Sequence, residues 1–129
     1  MKPRVLAFLF LTLALHAAET PEQELARLEK AFSSARTQWD MNETSGELAK
    51  YWDRALEKEE AKILASCDAE RAKLFRNAQK SWREYRLAET KLQGDSYRGG
   101  SIQPMIHNTT FASITAQRVK ELRSMSESP

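Results

Sequence analysis

Helix-forming residues run almost without interruption through this chain. Its 4 glycines and 4 prolines stand only at Pro3, Pro21, Gly46, Gly94, Gly99, Gly100, Pro104 and Pro129. Between them lie long stretches of Ala, Leu, Glu, Lys, Gln and Arg, the residues that cost least in a helix interior. No alternating apolar and polar run of useful length appears, so the signature of a half-buried strand is missing. The chain is therefore expected to be all-α: a small antiparallel bundle of three to four helices ending in a helical hairpin.

The first residues read differently. Lys2 and Arg4 precede an apolar run from Val5 to Leu15, and His16, Ala17, Ala18 and Glu19 then turn small and polar. That is the pattern of a secretory signal peptide, and it falls short of the roughly 20 apolar residues a membrane span needs. Residues 1–18 are expected to be a cleaved leader and residues 19–129 a single helical domain, secreted or periplasmic, with no membrane span after removal. Loss of Lys2 and Arg4 brings the 20 Lys and Arg into balance with the 18 Asp and Glu. A balanced charge gives no long-range pull on nucleic acid. Cys67 is the lone cysteine. In an exported chain it is open to an intermolecular disulfide or to burial as a small apolar residue.

Helix boundaries follow from caps. Thr20-Pro21-Glu22-Gln23 offers an N-cap, a first-turn proline and a capping-box glutamine, and the stripe Leu25, Leu28, Phe32, Ala35 and Trp39 continues one face. Asp40 to Gly46 is rich in loop formers and is expected to break the helix. A second helix carries Leu48, Tyr51, Trp52, Ala55 and Leu56, then a charged run over 57–62 expected to be a solvated face. It ends near Cys67, where Ser66 or Asp68 can cap the next helix. The third helix, about 69–93, carries a heptad of Phe75, Ala78, Trp82, Tyr85, Glu89 and Leu92, closed by Gly94 as C-cap. Ser101 is the expected N-cap of a last helix reaching about residue 125, with Pro104 in its first turn.

Catalytic patterns are thin, and the chain is not expected to be an enzyme. His107 is the only histidine after the leader, no serine sits in a G-x-S-x-G elbow, and His with a distant Cys makes no metal site. No cofactor is implied. A polar stripe stands out instead. Gln79, Trp82, Arg86 and Glu89 are spaced three, four and three on helix three, and Thr115 and Arg118 share a face of helix four. Buried charge needs a partner, so Glu89 is expected to pair with Arg118 or Arg86 and set helix register. The alternative is a small-anion site lined by Arg86 and Arg118.

The segment 72–125 resembles the LprI-type lysozyme-inhibitor N-terminal domain family of secreted bacterial proteins. That family's pattern is AQ-x-x-W-x-x-[YW]-R, an acidic residue before a cysteine, a G-[GS]-S turn, and a second cysteine ahead of T-x-x-R. It is matched by Ala78, Gln79, Trp82, Tyr85 and Arg86, by Glu89, by Gly99, Gly100 and Ser101, and by Thr115 and Arg118. Thr90 and Thr110 stand where the two cysteines would be, so a helix-linking disulfide is absent as a unit. The resemblance implies an exported protein that binds and inhibits a lysozyme-type glycoside hydrolase. A structural or interaction domain of the cell envelope is the alternative. The loop between the last two helices presents Tyr97, Arg98 and Ser101 between glycines, which makes these the candidate partner-binding residues.

Overall fold

Four helices follow in order: α1 (Pro21–Ser34), α2 (Gln38–Ser66), α3 (Ala69–Asp95) and α4 (Gln103–Glu127). The structure is a computed structural model that describes residues 18–127. The expected leader lies outside the described residues apart from Ala18. Among the described residues there is no strand, and no helix is long and apolar enough to cross a membrane.

The caps set the helix starts. The Thr20 hydroxyl accepts from the Gln23 amide at 3.2 Å while Gln23 Oε1 accepts from the Thr20 amide at 2.9 Å, a complete capping box. Asp68, rather than Ser66, caps α3 by accepting from the Arg71 amide at 2.8 Å. Cys67 is the C-cap of α2, a free thiol packed beside the core.

The break expected over Asp40 to Gly46 does not occur. α1 stops at Ser34, and Thr37 caps a new helix by accepting from the Asp40 amide at 3.0 Å. α2 then runs straight through the loop formers because the rest of the fold uses them. Asn42 donates to the Ser101 carbonyl at 3.0 Å, and Asn108 donates to the Asn42 carbonyl and the Ser45 hydroxyl at 3.1 and 3.2 Å. Trp39, placed by its spacing on the buried stripe of the first helix, sits on α2 and is 70% exposed.

α4 packs against both α2 and α3, and α1 packs on α2. The cross-links fix direction. Asn42 meets Ser101 and Glu59 meets Arg123, so α2 and α4 run the same way. Asp53 meets Arg86 and Gln79 meets Arg118, so α3 runs against both. The apolar core occupies one end of the bundle, where Leu56, Val119 and Leu122 are fully buried with Ile63 and Phe75, and Trp52 and Trp82 pack against them. Toward the hairpin tip, Asn42 and Ser45 of α2 are tied by hydrogen bonds to Ser101 and Asn108.

α3 departs most from the expected heptad. It buries Ala72, Phe75, Gln79, Arg86, Thr90 and Gly94, while Ala78, Tyr85 and Leu92 are exposed. Gly94 is not a C-cap: the helix passes through it to Asp95, and a Cβ there would lie 1.9 Å from His107 Nε2. It is the glycine that lets α4 approach. The left-handed residue of the connection is Gly99, with φ of 76°. Ser101 belongs to that connection and does not cap α4, which begins two residues later.

Candidate functional site

Two groups of residues singled out by the sequence take shape, one inside the bundle and one at its tip. Inside, Arg86 is 8% exposed and sandwiched by aromatics, its guanidinium 3.9 Å from the Phe111 ring centroid and 4.9 Å from that of Trp82. Its Nη1 donates to Asp53 Oδ1 at 2.8 Å and to the Thr115 hydroxyl at 3.0 Å. Thr115, fully buried, donates its own hydroxyl to the Phe111 carbonyl at 2.6 Å. Arg118 donates twice to Gln79 Oε1, at 2.8 and 2.6 Å, and once to Glu121 at 2.9 Å. Gln79 in turn donates to Glu60, which also accepts from Arg83 at 2.7 Å. The two sets of hydrogen bonds meet at the Trp82 ring, whose centroid lies 4.9 Å from the Arg86 guanidinium and 5.9 Å from that of Arg118, so Gln79, Trp82, Arg86, Thr115 and Arg118 are brought together.

Glu89 is not part of it. Its carboxylate accepts from Gln93 one turn on, at 2.8 Å, and pairs with neither arginine. Arg118 meets Glu121 of its own helix, whereas the acids that cross from a neighbouring helix come from α2. Asp53 and Glu60 stand two turns apart on one face and serve α3, and Glu59 serves α4 through Arg123 at 3.2 Å. Glu59 and Glu60 lie inside the charged run expected to be a solvated face, yet Glu59 is 3% exposed. Burial pushes the Glu59 carboxyl up, but hydrogen bonds from Lys62 and Arg123 outweigh it and hold it below its ordinary value. A run of consecutive acids and lysines always turns some members inward on a helix, and that periodicity was the available signal.

Thr90 and Thr110 sit at the same level of the α3–α4 hairpin. Thr90 is buried beside a hollow shared with His107, Asn108 and Phe111, and its hydroxyl has no hydrogen-bond partner. Thr110 lines a separate hollow with Glu89 and Gln93. No cluster of His, Cys and carboxylate that could hold a metal occurs among the described residues.

At the tip, residues 96–102 join α3 to α4 through consecutive tight turns. The amides of Tyr97, Arg98, Gly100 and Gln103 each donate to the carbonyl three residues back, at 2.9 to 3.1 Å. The Gln103 side chain braces this from inside, donating to the Gly94 carbonyl and accepting from the Gly99 amide, both at 3.2 Å. Asn42 fixes the far side through the Ser101 carbonyl. Outward stand Arg98, with its side chain 78% exposed and its guanidinium on Asp95, and Tyr97, 43% exposed. Ser101 is exposed beside them. A backbone pinned at both ends thus presents a cation and a phenol to solvent.

An all-α bundle with an internal Gln-Trp-Arg network and a braced Gly-Gly-Ser tip defines the class of protein, and comparison supplies the family. The family model described as Lysozyme inhibitor LprI matches residues 20–122. The chain belongs to that family. It is 37% identical over 54 residues to the uncharacterized protein R02472 of Rhizobium meliloti (strain 1021), an alignment covering 42% of this chain and 39% of that protein's length. No solved structure matches it.

Proposed function

We propose that this protein is an exported inhibitor of a lysozyme-type glycoside hydrolase, that residues 1–18 are removed on export to the envelope or beyond, and that it engages the enzyme through its hairpin tip. Family membership over residues 20–122 carries the inhibitor reading. The exposed Tyr97 and Arg98 on a braced turn support the placement. Lysozyme-type enzymes cleave with two carboxyl groups facing a cleft wide enough for a sugar chain. The Arg98 guanidinium, by exchanging its solvent-exposed pairing with Asp95 for a carboxylate of the cleft, can bind that carboxylate in bidentate fashion, with Tyr97 beside it as an amphipathic anchor. Pinning the tip in advance lowers the ordering cost of binding. The internal network of Arg86, Arg118 and Gln79 supports this tip by fixing helix register, with both guanidinium groups held by partners inside the bundle.

The test is to titrate the purified protein into a cell-wall lysis assay with C-type, G-type and I-type lysozymes. Slowing of at least one type at micromolar protein is expected. Undiminished lysis by all three would remove the inhibitor reading and leave an interaction domain of the envelope.

A further inference from the structure

α3 carries a second seam, and it faces solvent. Arg71, Leu74, Ala78, Ser81, Tyr85, Ala88, Leu92 and Asp95 are spaced three, four, three, four, three, four and three, the heptad spacing of a helix that packs lengthwise on another. All eight are exposed, with Leu74, Tyr85 and Leu92 at 64%, 55% and 65%, while the same helix turns Gln79, Arg86 and Thr90 inward. Helices ordinarily do the opposite.

The order of residues along the seam names its occupant. From either end it reads charge, leucine, alanine, then a hydroxyl-bearing residue at the centre. Laid antiparallel on a copy of itself, Arg71 meets Asp95, Leu74 meets Leu92, Ala78 meets Ala88 and Ser81 meets Tyr85, and the four pairs then repeat by symmetry. Opposite charges close both ends, with Asp95 shared between Arg71 of the copy and its own Arg98, leucines pack inside them, and the alanines let the two backbones approach. Such self-complementarity is what a two-fold interface requires, because one patch must serve as both partners. We infer that the occupant is a second copy of this chain, docked α3 to α3 in antiparallel register. Glu84 flanks the seam near the two-fold and meets its own copy, with Lys80 one turn away to offset the repulsion. A single helix pair also buries little area, at the low end of specific interfaces. The association is therefore reversible rather than obligate, and it leaves the two hairpin tips at opposite ends.

The experiment uses the full chain purified after expression, with Cys67→Ala throughout. Sedimentation equilibrium is expected to show a monomer passing to a dimer as concentration rises, and Leu92→Glu is expected to hold it monomeric with unchanged circular dichroism. Arg71→Asp should weaken the dimer, and adding Asp95→Arg should restore it. Register is read by cross-linking: protein with Leu74→Cys mixed with protein carrying Leu92→Cys should form a disulfide-linked heterodimer under mild oxidation. Neither should link to itself, because 18 residues of helix separate like positions by about 27 Å. A monomer at every concentration, a dimer indifferent to Leu92→Glu, or self-linking of the Leu74→Cys protein would each overturn the proposal.

Discussion

Single residues in this fold are explained by partners rather than by type. Arg86 is buried because Asp53 and Thr115 accept from it and two aromatic rings cover it. Replacing it with alanine leaves Thr115 and Asp53 without their donor and opens a cavity between the rings. Arg86→Ala is expected to cost about 3 kcal/mol in denaturant unfolding. Thr90 shows the converse, a hydroxyl buried without a partner. Thr90→Val keeps the shape and removes the unsatisfied group, so it should be neutral or raise stability by about 1 kcal/mol, measured as a higher denaturation midpoint. Residue identity alone suggested the arginines and glutamine of this network. It could not supply Asp53 or Glu60, because an acid on a helix surface and one aimed at a neighbouring helix look alike until the neighbour is placed.

At the scale of elements, the sequence was clearest where one local interaction decides the outcome. The Thr20 capping box and the start of α3 after Asp68 depend on contacts within four residues, and both are present in the structure. Where tertiary contacts outvote local preference, expectation failed. Asn42, Thr44, Ser45 and Gly46 favour a loop in isolation, yet they lie within α2, where Asn108 and Ser101 of the far hairpin use the polar groups of Asn42 and Ser45 and the Thr44 hydroxyl donates back to the Asp40 carbonyl. Gly94 likewise resembles a helix terminator, but its role is to give His107 room. Gly94→Ala is therefore expected to lose about 1–3 kcal/mol through overpacking, more than a helix-propensity gain returns. His107→Ala in the same chain should recover most of it, and thermal unfolding of the two single variants and the double variant measures that coupling.

Across the whole molecule, α2 acts as the acidic spine to which basic side chains of α3 and α4 attach. Glu59 is its most buried member, held below the ordinary carboxylate value of 4.5 because Lys62 and Arg123 outweigh its burial. A depressed folded-state value means that Glu59 stabilises the fold above the unfolded value, and that this contribution is lost as pH falls through the folded one. Stability should therefore drop below about pH 4.5, and Glu59→Gln should flatten that acid limb in urea titrations at a series of pH values. The class of the fold was legible from helix composition, and the family from the spacing of Trp82, Arg86 and Thr115. The outward-turned apolar seam of α3 was not, because a heptad states that a helix packs without stating against what. At this scale the proposed function places Tyr97 and Arg98 of the scaffold against a lysozyme. Its most direct measurement is the affinity of that complex, by calorimetry, for the unaltered protein and for Arg98→Ala and Tyr97→Ala, each checked for an unchanged unfolding midpoint. Weakening by about tenfold or more in either variant, about 1.4 kcal/mol, is expected; equal affinity for all three proteins would contradict engagement through the hairpin tip.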